Sequence, residues 1–186
     1  MSELNTLSLD DAVRWCDSIG LTVDGIGGQV RVGYPDSHLV IRLPIPAASQ
    51  RVLALAYVIL MTCVPDDEEE RFLGGLVWIN DWGIGSPTFE RLGSFIVERL
   101  TACSLEKCPA ITGGPNGFDA LYAVLVQTLT YQWDAHYVPQ SAPFVCHVSH
   151  DGYIGLLAKD RQTHDNLSAR FAKGRWQEDR PNPTHL

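Results

Sequence analysis

Phe144-Val145-Cys146-His147-Val148-Ser149, followed by His150-Asp151-Gly152 and then Tyr153-Ile154-Gly155-Leu156-Leu157-Ala158, is the stretch that decides the fold. Two runs rich in β-branched, aromatic and aliphatic side chains flank a turn containing Asp-Gly. That dipeptide between apolar runs is a strong local signal for a tight hairpin. Just upstream, residues 133–138 (Trp-Asp-Ala-His-Tyr-Val) read as a further strand. The C-terminal part of the chain is therefore predicted to be a set of strands joined by short connections, which makes the sheet at least partly antiparallel.

Towards the C-terminus, Thr163 or Asp165 is the expected cap of a short helix carrying Leu167 and Phe171. The segment 177–186, with Pro181 and Pro183, reads as a flexible tail beyond a single globular domain over 1–176. Towards the N-terminus, Leu121, Val124, Leu125 and Thr128 recur at helical spacing, so a helix is expected over 118–131, capped by Asn116. Residues 103–117, with two Pro and three Gly, read as a loop. Ser86-Pro87 is a good cap and first-turn pair for a helix with Phe89, Leu92, Ile96 and Leu100 on one face. Residues 72–80 read as a central strand in which Gly74-Gly75 permits close backbone approach.

Farther upstream, residues 49–63 form an almost wholly apolar helix, expected to be buried on most sides. Residues 29–34 and 38–43 read as two strands of a hairpin. Gly25 to Gly28 is a turn region. The first helix is expected to start at Ser8, with Asp11 completing a variant of the capping box, and to stop at Gly20. The resulting order, α, ββ, α, β, α, α, βββ, α, lacks strict β–α alternation. It disfavours Rossmann-type and barrel folds. The expected class is α/β (α+β): a mixed, largely antiparallel sheet of about five or six strands covered by about five helices.

Composition narrows the function classes. The chain has 186 residues, 45% of them hydrophobic and 19% charged, so it can bury a sizeable core. The net charge is −8, which argues against a general nucleic-acid binder. Residues 1–70 carry four Arg against eleven acids and so hold nearly all of the excess. The N-terminus lacks the basic and apolar regions of a secretory signal. The longest apolar run, 52–64, is too short to span a bilayer and ends in Asp66-Asp67-Glu68-Glu69-Glu70. A cytoplasmic protein without membrane contact is expected. Five scattered cysteines then read as free thiols.

The densest chemistry is Cys146-His147-Val148-Ser149-His150-Asp151, with His136 on the preceding predicted strand. Thiolate, imidazole and carboxylate can bind zinc, and imidazole can exchange protons. Strand alternation puts Cys146 and His150 on one face and His147 and Ser149 on the other, which speaks against a local metal site. His136 joins either face according to register. The structural alternative makes Cys146 and Val148 core and lets His150 and Asp151 shape the turn. Gly113-Gly114-Pro115-Asn116-Gly117 lacks the Lys-Ser/Thr of a P-loop and reads as a turn. Asp81 ends a predicted core strand, where open sheets place ligands, but a backbone-capping role is the simpler one. No cofactor or metal is expected.

The Trp78…Asp81-Trp82-Gly83-Ile84 stretch with Ser86-Pro87, and His147-Val148-Ser149-His150-Asp151-Gly152-Tyr153-Ile154, resemble segments of small bacterial proteins of the toxin–immunity (conflict system) type. The resemblance carries no catalytic residue with it and leaves the activity open. Two function classes follow. In the first, the chain is a non-enzymatic, immunity-type inhibitor whose acidic run, Asp66, Asp67, Glu68, Glu69 and Glu70, steers a protein partner with a basic surface. In the second, it is a small hydrolase or transferase with a site built from His136, His147, His150, Asp151 and Asp81.

Overall fold

A computed structural model describes residues 4–26, 29–62, 72–81, 110–173 and 176. In chain order its elements are β1 (Leu4–Leu7), α1 (Leu9–Ser18), β2 (Thr22–Ile26), β3 (Gln29–Gly33), β4 (Val40–Pro44), α2 (Ser49–Met61), β5 (Gly75–Asp81), β6 (Ala110–Gly113), α3 (Phe118–Tyr131), β7 (Asp134–Pro139), β8 (Phe144–Ser149), β9 (Tyr153–Ala158) and α4 (Arg161–Lys173). Seven strands pair antiparallel in the order β1-β6-β5-β7-β8-β9-β4. β2 and β3 pair only with each other, as a separate two-stranded sheet.

The large sheet is the middle layer. On one face α2, α3 and α4 bury their apolar sides against Ala135 and Tyr137 of β7, Phe144, Cys146 and Val148 of β8, and Ile154, Leu156 and Ala158 of β9. On the other face α1 and the β2–β3 hairpin cover Leu76, Trp78, Ala110, Val138 and Val145. Strand alternation makes both layers possible, since successive side chains leave opposite sides of each strand. The long hairpin of the sequence is present: Ser149 pairs with Tyr153 across His150-Asp151-Gly152. Gly152 takes a φ of +80°, the left-handed conformation that closes a three-residue hairpin loop.

Other local expectations hold for stated reasons. The Ser8 hydroxyl accepts from the Asp11 backbone N–H and caps α1, and Gly20 at φ +79° follows its end. A side chain at Gly74 would put its Cβ 2.2 Å from the Gly113 carbonyl, so the close approach read from Gly74-Gly75 is real.

Several expectations are corrected. The class is α+β with a large antiparallel sheet, but that sheet has seven strands, a second sheet has two, and four α-helices are described. Residues 29–33 pair with 22–26, and residues 40–44 pair with β9 instead of with β3. The turn at 35–37 therefore parts two sheets and does not close a hairpin. β1 and β6 are four-residue strands, too short to show a period, and β6 lies inside the Gly/Pro-rich segment read as loop. Asn116 does not cap α3; it sits within a 3₁₀ turn, Pro115–Gly117, and Gly117 takes the N-cap position without a side-chain bond. The Asp160 carboxylate, not Thr163 or Asp165, accepts from the Thr163 N–H at the start of α4. α2 buries Val52, Leu55, Ala56, Ile59 and Leu60 but leaves Leu53 and Tyr57 exposed. The expected acidic loop at 66–70, helix after Ser86-Pro87 and tail from 177 lie outside the described residues. Among those described, no helix is long and apolar enough to cross a membrane.

Candidate functional site

The face of β7, β8 and β9 that looks towards α1 changes character along its length. Val138 and Val145 lie at the covered end, in the core beneath α1. One residue pair further, His136 stands opposite His147, His147 opposite Gly155, and Gly155 opposite Arg42 of β4. Beyond that row come Asp134, Ser149 and Tyr153. The two polar rows, with Asn80 of β5 and residues 30–32 of β3, enclose a cleft of about 510 Å³. Its volume lies in the range of small-molecule sites.

Aromatic and cationic groups line up across the floor. The His136 and His147 rings stack with centroids 4.9 Å apart. His147 meets the Tyr153 ring edge-on at 6.4 Å, and the Arg42 guanidinium lies over Tyr153 at 5.1 Å. Asn80 Nδ2 donates to the Val30 carbonyl at 2.7 Å and lies 3.4 Å from His136 Nδ1. Because the amide nitrogen can only donate, Nδ1 accepts and the His136 proton resides on Nε2. Asn80 Oδ1 is buried and has no hydrogen-bond partner among the described residues.

Asp134 is a carboxylate inside the protein, its side chain 8% exposed. It accepts from the His150 backbone N–H at 3.0 Å, and its other oxygen lies 2.6 Å from His150 Nδ1. A buried carboxylate is tolerated when its lone pairs are met by such donors. The pairing fixes the imidazole with Nδ1 towards Asp134. Nε2 lies 3.5 Å from an Asp151 oxygen, and the His150 side chain is 63% exposed at the mouth of the cleft.

Burial pulls the His136 imidazole down to about 3, and the neighbouring His147 adds to the shift. Burial also pushes His147 below the usual range. Asp134 opposes this, while Arg31, Arg42 and His150 reinforce it. Both rings are therefore neutral near pH 7, each offering one N–H and one acceptor nitrogen.

The structure brings His136, His147, His150 and Asp151 into one cleft. The strand-alternation reading is right for His147 and Ser149 against Cys146, which is core. It fails for His150, which has left the strand and bends back towards the cleft side through its bond to Asp134. Asp81 closes β5 opposite Asp134 beyond a bulge, and its side chain lies outside what is described. Asp134, Arg31, Arg42, Asn80 and Tyr153 are site residues that the sequence reading did not select. The i, i+2 pairs Asp134/His136 and His147/Ser149 were the available signal, since such pairs share a strand face.

Among the described residues, no three His, Cys, Asp or Glu side chains gather closely enough to hold a metal ion. Cys16 and Cys146 are both buried, and burial pushes the Cys16 thiol up to about 12, where it is no nucleophile. Comparison with protein-family models, curated proteins and solved structures finds no match to this chain.

Proposed function

We propose that this protein is a small enzyme, a hydrolase or transferase, whose active site is the cleft between β3 and the polar end of the large sheet. One observation carries the reading: the buried Asp134 carboxylate holds His150 by Nδ1 at the rim of a cleft of substrate size. A carboxylate on one imidazole nitrogen fixes the tautomer and stabilises the imidazolium that forms when the other nitrogen takes a proton. His150 Nε2 thus acts as general base towards a water or a substrate hydroxyl and returns the proton to the leaving group. Ser149 is not assigned as nucleophile. It is 3% exposed, and its hydroxyl accepts from the Asp151 N–H in the turn.

The test is turnover of a panel of chromogenic phosphate, carboxylic and glycosidic esters by the full chain. On any substrate that is turned over, Asp134→Asn and His150→Gln are expected to lower kcat by about 10²- to 10⁴-fold, the usual worth of a positioned acid–base group. Unchanged kcat in a folded His150→Gln protein sinks the assignment, as does a panel with no turnover.

A second reading keeps the acidic bias of residues 1–70 in view. An immunity-type inhibitor would use Asp66 to Glu70 to steer a basic toxin. The association rate would then fall as ionic strength rises, and neutralising 66–70 would remove that salt dependence. That reading gives the Asp134–His150 pair no task, so the enzyme reading stands first.

A further inference from the structure

We infer that the cleft takes a carbonyl compound, a carboxylic ester in the proposed reaction, with the His136 Nε2–H as the donor to its oxygen. The inference rests on the cleft being the functional site. It adds the group that works opposite His150 and the class of substrate.

His136 lies deep in the molecule, 5% exposed, yet it lines the cleft. In register it stands between Trp78 of β5 and His147 of β8. The Asn80 amide fixes its tautomer. Nδ2 donates to the Val30 carbonyl and turns its second N–H towards His136 Nδ1, which leaves the ring proton on Nε2. The stacked His147 ring holds the imidazole plane. Nε2 has no hydrogen-bond partner among the described residues, and it is not among the polar atoms sealed away from solvent. The donor therefore opens on the cleft. Asp134, two residues back on the same strand face, is not its acceptor, because both carboxylate oxygens are engaged by His150.

Only what enters the cleft can meet this N–H, and the atom that meets it must be an acceptor. Burial holds the His136 imidazole at about 3, so the ring stays neutral. A neutral imidazole polarises an oxygen without transferring its proton. The carboxylate that holds His150 is two residues from His136, about 7 Å along β7, so both imidazoles address one substrate.

Charge development selects the ester class. When water adds to a carboxylic ester, the carbonyl oxygen passes from neutral to anionic. A fixed donor aimed at that oxygen stabilises the transition state more than the ground state. A phosphate ester arrives with its charge already formed, and the carboxylates Asp134 and Asp151 line the same cleft. Glycoside cleavage builds positive charge on a sugar carbon and uses a pair of free carboxyl groups, and Asp134 is not free. In the step itself, His150 Nε2 removes a proton from water as the water oxygen bonds to the carbonyl carbon. The C=O π pair moves onto oxygen, which accepts from the His136 Nε2–H. As the pair returns, the bond to the alkoxy oxygen breaks, and His150 hands its proton to the departing alkoxide. The products are a carboxylic acid and an alcohol, and His136 keeps its proton throughout.

NMR of the full chain carrying isotope-labelled histidine reads this donor directly. The His136 proton is expected on Nε2. Acetophenone should shift that signal. It should also bind about 3- to 10-fold more tightly than ethylbenzene, the same skeleton without the oxygen, which is the worth of one neutral hydrogen bond. On a carboxylic ester, His136→Phe is expected to lower kcat by about 10²- to 10³-fold with KM little changed. His136→Gln, which retains an N–H, should recover part of that loss. The inference is overturned if the proton lies on Nδ1, if acetophenone at millimolar concentration leaves the signal unmoved, or if folded His136→Phe keeps its kcat. Turnover of phosphate or glycosidic esters and of no carboxylic one overturns it too. Acetophenone binding through His136 without ester turnover would keep the carbonyl contact and remove the enzyme. Turnover that needs His150 and ignores His136 would do the reverse.

Discussion

β7, β8 and β9 present two faces made of alternate residues of the same strands, and the two faces obey different rules. Towards α2, α3 and α4 every side chain is apolar from end to end, Phe144, Cys146 and Val148 on β8 being typical. Towards α1 and the β2–β3 hairpin the same strand reads Val145, His147, Ser149, apolar only where it is covered. Folding alone accounts for the first face, because burying apolar surface is what stabilises it. It does not account for the second. A buried imidazole, a half-buried one and a buried carboxylate all oppose burial unless they are partnered. The difference teaches where stability was given up, and hence where the chemistry lies.

The comparison can be broken most forcefully from the dry face. Phe144→Ala is expected to cost about 3–5 kcal/mol, measured by urea denaturation, while ligand affinity of the molecules still folded is unaffected. A loss of affinity in folded molecules would mean that the two faces are not independent. On the wet face, Asp134→Ala removes an acceptor of two hydrogen bonds and should cost about 1–3 kcal/mol by the same assay. Stabilisation by that change would show that burying the carboxylate outweighs its pairing.

A pH series sharpens the contrast further. The folded state holds His136 at about 3, below the unfolded value of about 6.5. Above pH 6.5 the ring is neutral in both states. As pH falls below 6.5, only the unfolded chain takes up the proton, so stability declines by about 1.4 kcal/mol per pH unit towards pH 3. Replacing His136 with Gln should flatten that decline in denaturation curves, and an unchanged slope would show that the buried ring is protonated in the fold. The smallest expected effect concerns the covered end. Ser8→Ala removes the cap of α1 and should cost about 1 kcal/mol in melting experiments, with ligand affinity retained.

Much of the frame was legible. The His150-Asp151-Gly152 hairpin, the α3 span, the close approach at Gly74 and the Ser8 cap follow from local chemistry, which one sequence carries in full. Pairing was not legible, because it depends on which distant strand supplies the partner. The partners of β4 are residues 153–157, not the neighbouring β3. The site inherits the same limit. Its histidines stood out as residues, but whether they met depended on the register that sets His136 against His147. Asp134 carried no signal of its own until the fold turned it towards His150 at the same cleft.

The pairing of β4 with β9 has a temporal consequence. Ser37 donates to the Ala158 carbonyl across 121 positions of sequence, and Arg42 reaches the cleft only when that edge has zipped shut. Closing so long a loop is among the slowest kinds of event in small-domain folding. A nascent chain on the ribosome thus carries no working pocket until residue 158 has emerged. Acquisition of ligand affinity during refolding would mark the last strand docking, with the cleft acting as its own clock.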